Sequence, residues 1–245
     1  MAKSGRLPIA TSGSNVPLDA PLYNKPPIYY KNVESISFTY ETDEAAALDI
    51  LPEELALTSP PTATLIFVNY PFSTLGPYYE VMLGLSCSFN NEPHFYIPYL
   101  VVDSDIPHAA GREIWGYAKK FALIKIEKEG DLIIGTMERP KGNRICTAVI
   151  RPEIPLAPVE GTGGGSISLR VIPSPDGSPK PSLAELIETP TTSTTIDAYS
   201  GEGFLQFNST STFDPWHKLA VNRVLSCVYR RYDSVLHPGK VIKRY

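Results

Sequence analysis

Proline and glycine interrupt this chain so often that long helices are disfavoured over most of its length. The 245 residues include 24 prolines and 17 glycines. Proline removes a backbone hydrogen-bond donor and breaks helix interiors, and glycine marks tight turns and bulges. Short β-strands bounded by such residues tolerate frequent interruption better than helices do. The sequence therefore predicts a mainly β fold of many short strands with a few helices.

Stretches that are rich in β-branched and aromatic residues, or that alternate apolar with polar residues, predict the strands. Glu129-Gly130-Asp131 is expected to join two of them as a hairpin turn. The predicted strands are Ser35–Tyr40, Ala63–Tyr70, Val81–Phe89, His94–Val102, Phe121–Glu127, Leu132–Met137, Ile145–Arg151, Ser166–Ile172, Thr191–Tyr199 and Gly203–Asn208.

Two segments predict helices, and a third predicts a loop. Thr42 is placed to cap a short helix that carries acidic residues in its first turn. A longer helix is predicted to begin at Asp214, because apolar residues recur at helical spacing over Trp216–Val228. Gly161–Gly165 predicts a flexible loop. No internal repeat or clear domain boundary is visible.

Composition indicates a soluble, cytoplasmic protein. The chain is 42% hydrophobic with a net charge of −4 and no basic stripe, and no apolar window reaches about 18 residues, which argues against nucleic-acid and membrane partners. Residues 1–27 lack the apolar run of a signal peptide, so we expect an extended N-terminal arm followed by one domain over residues 28–245. Cys87, Cys146 and Cys227 are an odd number without close spacing, which predicts buried thiols in a reducing compartment.

The clearest chemical signal is the stretch Gly111-Arg-Glu-Ile-Trp-Gly-Tyr-Ala-Lys-Lys120. A Lys-Lys pair is usually a solvated surface feature, but Trp115 and Tyr117 make the flank of this pair apolar. A strand is predicted to start near Lys120, so the two lysine side chains should point to opposite faces. One lysine is therefore expected to face a pocket.

A lysine attacks a carbonyl carbon only as the neutral amine, whereas a free lysine has a pKa near ~10.4. Burial disfavours the ammonium form, and a second nearby cation disfavours it further. Two unit charges about 4 Å apart repel by about 4 kcal/mol at an effective dielectric constant near 20, which equals roughly three pKa units. One lysine of the pair is therefore expected to be partly neutral near pH 7.

The same stretch resembles the Gly-Arg-Glu-x-x-x-Tyr-Pro-Lys-Lys motif of the acetoacetate decarboxylase family. Similar segments extend the resemblance over about residues 30 to 240, in one order and at nearly constant spacing. They are Tyr40-Glu-Thr-Asp, Leu51-Pro-Glu-Glu-Leu, Leu75-Gly-Pro-Tyr-Tyr-Glu80, Leu132-Ile-Ile-Gly-Thr-Met, Leu169-Arg-Val-Ile-Pro and Asp176-Gly-Ser-Pro.

The resemblance implies a mainly β (α+β), antiparallel barrel- or cone-like fold and a homo-oligomer. It also implies that Lys119 forms a Schiff base, that Lys120 perturbs it, and that Glu80 transfers protons or positions substrate. From its position alone, Glu80 would be interpreted as an exposed loop acid. The residues expected to contact substrate are Leu65, Tyr79, Trp115 and Tyr117.

Three positions depart from the family pattern. An arginine that lies near the substrate carboxylate in the family has no counterpart around Asn32-Val33-Glu34. A second glutamate of the family falls near Leu65, and the proline before the lysine pair is Ala118. The missing arginine removes a bidentate carboxylate anchor, and a leucine makes the pocket more apolar. We therefore expect a bulkier and less charged substrate than acetoacetate.

These features predict a cofactor-independent Schiff-base lyase that acts on a β-keto acid or a larger carbonyl compound in specialised metabolism. An iminium also supports aldol, dehydratase or cyclase chemistry. A cyclase that works by shape alone, or a non-catalytic binding protein, would keep the pocket without the covalent bond. No nucleotide or cofactor motif is present, and metal-ligand spacing is absent among His94, His108, His217 and His237.

Overall fold

The computed structural model describes residues 2–9, 15–157 and 160–245. Its strands are β1 (Ile28–Glu41), β2 (Ala56–Leu57), β3 (Thr62–Tyr70), β4 (Phe72–Ser73), β5 (Tyr78–Phe89), β6 (Glu92–Val102), β7 (Lys119–Phe121), β8 (Leu123–Glu129), β9 (Leu132–Glu138), β10 (Arg144–Ile150), β11 (Ile154–Pro155), β12 (Glu160–Ile172), β13 (Leu183–Ser200), β14 (Gly203–Phe207), β15 (Arg223–Leu236) and β16 (Lys240–Arg244). The helices are α1 (Glu44–Leu48), α2 (Asp105–Ala110), a π-helix (Gly111–Trp115) and a 3₁₀-helix (Trp216–Lys218).

The centre of the fold is a closed ring of strands, which we call the barrel. In the described chain its order is β5-β3-β1-β15-β13-β12-β6, and β6 pairs with β5 to close the ring. The pairings within the ring are antiparallel except for the short parallel contact between β6 and β12. The expectation of a mainly β, barrel-like fold is therefore confirmed.

A second sheet packs against one side of the barrel. Its order is β14-β10-β9-β8, and β8 and β9 form the hairpin that was expected around Glu129-Gly130-Asp131. Gly135 allows the close approach, because a Cβ atom there would lie 2.9 Å from the ring of Phe67 on β3. Met137, Ile145 and Ile150 of this sheet are fully buried in the same hydrophobic cluster as Phe67.

Strands β3 and β5 of the barrel carry buried residues on both faces, which explains why their sequences read as nearly continuous apolar runs. Along β3, Leu65 and Phe67 join the cluster shared with the second sheet, whereas Val68 and Tyr70 join a cluster inside the barrel. The inner cluster is rich in tyrosine, and its residues include Tyr30, Tyr78 and Tyr117. This tyrosine-rich interior holds the candidate active site.

The helix predicted from Asp214 does not form. Only Trp216–Lys218 makes a single 3₁₀ turn, and the residues from Arg223 to Leu236 form β15. This strand lies between β1 and β13 and bonds to both along most of its length. Its β-branched and aromatic residues suit a strand, and the hydrogen bonds from two distant strands outweigh the local helical spacing.

The glycine-rich loop predicted at Gly161–Gly165 is also wrong. These residues belong to β12, where Gly161 pairs with Ser193 and Gly163 pairs with Thr191. A register shift between Gly163 and Ser166 accommodates the glycines as a bulge. They are therefore part of the barrel wall.

Other local expectations are confirmed. The short helix α1 forms, although its cap is Asp43, which accepts the Ala46 N–H at 2.8 Å, and not Thr42. The cysteines are buried free thiols. Before β1, the buried Tyr23 donates its hydroxyl hydrogen bond to Glu113, so this part of the chain is tied to the π-helix. In the part of the chain that the structure describes, every helix is too short to cross a membrane.

The buried tyrosines predict how stability changes in alkali. Burial raises the pKa of Tyr117 and of Tyr232 to about 12, and it raises the pKa of Tyr30 further. An unfolded tyrosine ionises near ~10. Because the folded pKa is the higher one, the stabilisation is fully present below about pH 10 and is lost as the pH rises towards 12.

We therefore expect the free energy of unfolding in urea to be steady up to about pH 9 and to fall steeply above about pH 10. Tyrosinate absorbance recorded in the same series reports ionisation directly. Ionisation of all tyrosines near pH 10 in a protein that stays folded would contradict the burial of these side chains.

Candidate active site

A turn of π-helix precedes the lysine pair and positions it at the barrel. Helix α2 continues into the π-helix Gly111–Trp115, which ends at Gly116 in the left-handed region with φ 76°. A side chain at Gly116 would collide with the backbone of Arg170, so glycine is required there. Strand β7 then starts at Lys119 and pairs with Leu100 of β6. π-helical turns often occur at functional sites.

Lys119 enters the barrel and pairs with Glu80. Its Nζ atom lies 2.9 Å from Glu80 Oε2, and each side chain is only 5% exposed. The rings of Tyr78 and Tyr117 lie 5.4 and 5.9 Å from this nitrogen. The aliphatic part of Lys119 crosses Gly111, where a Cβ atom would be 2.5 Å from Lys119 Cε. The lysine is thus fixed by packing as well as by charge.

The second oxygen of Glu80 is also bonded. Tyr70 donates its hydroxyl hydrogen bond to Glu80 Oε1 at 3.3 Å, and Tyr78 donates to the Tyr30 hydroxyl at 3.3 Å. The Tyr70 ring packs between those of Tyr30 and Tyr78 at centroid distances of 4.6 and 4.5 Å. Desolvation, with the charge of Glu80 as a further cause, raises the pKa of Tyr70 well above its usual value. Tyr70 therefore stays a hydrogen-bond donor.

These groups line a cavity of about 220 Å³ inside the barrel. Among the described residues of its lining, Lys119 and Glu80 are the only charged ones, and they form a pair. The lining residues are Tyr30, Ile66, Val68, Tyr70, Tyr78, Glu80, Met82, Phe95, Ile97, Leu100, Tyr117, Lys119, Ser166, Thr191, Tyr232, Ser234 and Leu236. The cavity is therefore mostly apolar and aromatic.

Lys120 lies outside this cavity. Because successive strand residues point to opposite faces, its side chain leaves β7 away from Lys119 and is 43% exposed. Its Nζ atom lies 3.0 Å from Asp214 Oδ1 and also donates to the Phe213 carbonyl. Asp214 is bonded to Arg139 as well. The expected repulsion between the two lysines is thus weakened, since a carboxylate balances the charge of Lys120.

Arg112 and Glu113 of the motif bond to different partners. Arg112 donates to the Lys119 carbonyl at 3.1 Å, and Glu113 accepts from Tyr23. Both contacts fix the backbone that carries Lys119.

The structure places the expected substrate contacts on different sides of the barrel wall. Tyr117 lines the cavity and its hydroxyl is 3.2 Å from Ser166 Oγ. Trp115 is buried behind Tyr117, and its indole N–H donates to the His237 carbonyl at 3.1 Å. Leu65 and Tyr79 point away from the cavity into the cluster shared with the second sheet. Their neighbours on the inner face are Ile66 and Tyr78.

The departures from the family pattern have a clear location. Val33, in the segment without an arginine, is fully buried in the inner cluster. Ile66 occupies the inner face of β3 directly across from Met82 on β5. No arginine occurs among the described residues of the cavity lining. The Arg230 guanidinium lies just beyond this lining, 4.4 Å from the ring of Tyr232, and donates hydrogen bonds to Ser193 and Thr195.

Sequence reasoning missed most of the aromatic lining. Tyr78 and Met82 could have been found from Glu80, because residues two apart on a strand share a face. Tyr30, Tyr70 and Tyr232 come from other strands, and their shared interior follows only from closure of the ring.

Comparisons with known proteins agree with this geometry. The family model for acetoacetate decarboxylase (ADC) matches residues 15–245. Decarboxylase DEC1 of Cochliobolus heterostrophus is 27% identical over 242 residues, which cover 94% of each protein. Acetoacetate decarboxylase 1 of Mesorhizobium japonicum is 30% identical over 236 residues, again covering 94% of each.

A solved structure shows the same fold. The acetoacetate decarboxylase of Legionella pneumophila superposes with a TM-score of 0.85 at 26% identity, covering 100% of this chain and 99% of that one. The match of the family model over nearly the whole chain, together with these relatives, is decisive: this chain belongs to the acetoacetate decarboxylase family.

Proposed function

We propose that this enzyme is a Schiff-base lyase in which Lys119 condenses with the carbonyl group of a β-keto acid or a larger carbonyl compound. The relatives from Cochliobolus and Mesorhizobium are named as decarboxylases. The observation that carries the proposal is the position of Lys119 Nζ, which is enclosed in an apolar cavity 2.9 Å from Glu80. A primary amine held in this way has the position that Schiff-base catalysis requires.

Glu80 supplies the base that frees the amine. Two charges in an apolar cavity lose most of their hydration, and moving one proton from the Lys119 ammonium to the Glu80 carboxylate leaves two neutral groups. The contact between Nζ and Oε2 is short enough for this transfer. Tyr70 holds the other oxygen of Glu80 and so fixes which oxygen faces the lysine.

The covalent steps follow from the neutral amine. Its lone pair adds to the substrate carbonyl carbon, and loss of one water gives an iminium. In a β-keto acid, the bond to the carboxylate carbon then breaks, carbon dioxide leaves, and the electron pair is held as an enamine. Protonation of the enamine carbon, with Glu80 as the nearest acid, restores an iminium. Water hydrolyses it to the ketone product and regenerates Lys119.

The cavity supports a substrate other than acetoacetate. Its charged lining groups, among the described residues, form a pair with each other, so the lining has no unpaired cation beside Lys119 to anchor a small free carboxylate. The aromatic walls from Tyr30, Tyr70 and Tyr78 favour an apolar or planar body next to the reacting carbonyl. We assign the enzyme to bulkier, less charged carbonyl compounds for this reason.

Replacement of each lysine in turn tests the proposal. Lys119→Met should form no borohydride-reduced adduct with a panel of β-keto acids and ketones, whereas wild type should gain the substrate mass at Lys119. Lys120→Met is the matched control, because its amine lies outside the cavity and Asp214 keeps its bond to Arg139. Mass spectrometry of the reduced adducts measures trapping in both variants.

Retained trapping in Lys119→Met would refute the assignment of the nucleophile. Loss of trapping in Lys120→Met, with the fold intact, would restore the role that the sequence predicts for Lys120. Carbon dioxide release in the same assay separates decarboxylation from aldol-type chemistry.

Replacement of the carboxylate tests the proton transfer. Glu80→Gln should slow turnover by about 10²–10⁴-fold, the usual contribution of a positioned acid or base. The variant should also lose thermal stability, because the Lys119 ammonium is left buried without its partner. Glu92→Gln, at an exposed position, is the control. Turnover of Glu80→Gln equal to that of wild type would show that Glu80 only packs against the lysine.

A substitution at Gly111 tests whether the reaction depends on the position of the Lys119 amine. In Gly111→Ala the added methyl group collides with Lys119 Cε and forces the side chain to move. We expect adduct formation at least about tenfold slower, since small displacements of a reacting group are costly. Gly5→Ala, which meets open space, is the control. Unchanged trapping kinetics in a folded Gly111→Ala protein would contradict the close contact between Gly111 and the lysine side chain.

A further inference from the structure

Strand β15 carries an arginine at the edge of the cavity. Tyr232 and Ser234 of this strand line the cavity, and Arg230 lies on the same inner face because residues two apart on a strand share a face. The centre of its guanidinium is 4.4 Å from the ring centroid of Tyr232. The side chain is partly buried, and its charge therefore lies just beyond the cavity lining.

This arginine and the reacting pair are on opposite sides of the barrel. In the ring order, β15 is the third strand from β5 in one direction and the third strand from β6 in the other. Glu80 lies on β5, and Lys119 lies on β7, which pairs with β6. A substrate whose carbonyl is at Lys119 therefore has to extend across the interior to touch Arg230.

The guanidinium is held by hydroxyl groups and not by a carboxylate. Its Nε atom donates to Thr195 Oγ1 at 2.9 Å, and its Nη2 atom donates to Thr195 Oγ1 at 2.7 Å and to Ser193 Oγ at 2.8 Å. In the described parts of the chain, Nη1 has no partner and no carboxylate forms an ion pair with Arg230. By contrast, the next residue, Arg231, is paired with Asp197. The inner arginine thus keeps a charge that the fold does not compensate.

Such an arginine is prepared to bind an anion. The three hydrogen bonds fix one edge of the planar guanidinium, so little side-chain freedom remains to be lost when a ligand binds. Guanidinium groups match the geometry of a carboxylate, and charge-assisted hydrogen bonds are roughly twice as strong as neutral ones. The Nη1 atom of Arg230 is available for such bonds.

The two sides of the cavity differ in charge. Lys119 and Glu80 compensate each other, so a carboxylate directly beside the reacting carbonyl meets no unpaired cation. A carboxylate several carbons away from that carbonyl extends towards Arg230 instead. The distance between the two groups of the substrate therefore decides whether its charge is compensated.

We propose that Arg230 binds a carboxylate at the far end of the substrate, so that the enzyme selects carbonyl compounds with an anionic group several carbons from the reacting carbonyl. This selectivity rests on the proposed function, because Lys119 must hold the carbonyl for the far end to reach β15. It also refines that function: the substrate carries less charge than acetoacetate beside the reacting carbonyl, and its anionic group lies at the opposite end.

Methyl ketones with a terminal carboxylate, each compared with its own methyl ester, test this selectivity. The panel consists of carboxyethyl, carboxybutyl and carboxyhexyl methyl ketone, in which only the spacing between carbonyl and carboxylate changes. Each ketone condenses with the Lys119 amine with loss of one water, and borohydride adds a hydride to the iminium carbon to give a stable secondary amine. The ratio of the half-maximal trapping concentrations, ester over acid, measures the preference for the carboxylate.

The longer acids should be trapped at about tenfold lower concentration than their esters, as expected for charge-assisted hydrogen bonds. The shortest acid should show no preference, because its carboxylate stays near Lys119. Arg230→Gln should bring the ratio for the longer acids close to one. Arg231→Gln is the matched control, since its side chain is on the outer face and paired with Asp197, and it should keep the wild-type ratio.

The outcomes separate the two proposals. The wild-type ratios test the selectivity even if Arg230→Gln does not fold, because they need no variant. A ratio close to one at every chain length, an equal preference at all lengths, or a preference that persists in folded Arg230→Gln would overturn the role of Arg230 and leave Lys119 as the nucleophile. Absence of a Lys119 adduct with every ketone and ester would overturn the proposed function itself.

Discussion

The buried pairing of Lys119 with Glu80 is the interaction on which the rest of the site depends. Removing two charges from water costs several kcal/mol per ion, which the pair offsets only at short distance and with further hydrogen bonds. The 2.9 Å contact and the bond from Tyr70 meet these conditions. The same contact that allows a lysine to be buried also places a proton acceptor beside it, so folding and chemistry rely on one pair of atoms.

Most strands could be predicted because their signals are local. The β8–β9 hairpin follows from Glu129-Gly130-Asp131 and the apolar runs on either side. The segment after Asp214 was misread because β15 takes its hydrogen bonds from β1 and β13, which are distant in sequence. Gly161–Gly165 was misread for the same reason, since β13 converts a flexible composition into a bulged strand. Local patterns do not contain such partners.

The sequence predicted the charged residues of the candidate site, but not which face of each strand points into the barrel. The motif identified Lys119, and the resemblance identified Glu80, which the structure brings into contact. Leu65 and Tyr79 were assigned one residue from the inward-facing positions, because strands that are buried on both faces show no alternation that tells the faces apart. The balance of charge at Lys120 depends on Asp214, 94 residues further along the chain. Such long-range neighbours became visible only in three dimensions.

Closure of the barrel also has a consequence for how this protein is made. The first strand of the ring, β1, pairs with β15, which is far from it in sequence, with Ile28 opposite Leu236. Until β15 has left the ribosome, β1 lacks one neighbour and presents an unpaired edge to other chains. Contacts of such long sequence separation form slowly. Synthesis of this enzyme thus includes an interval in which none of its own strands covers that edge.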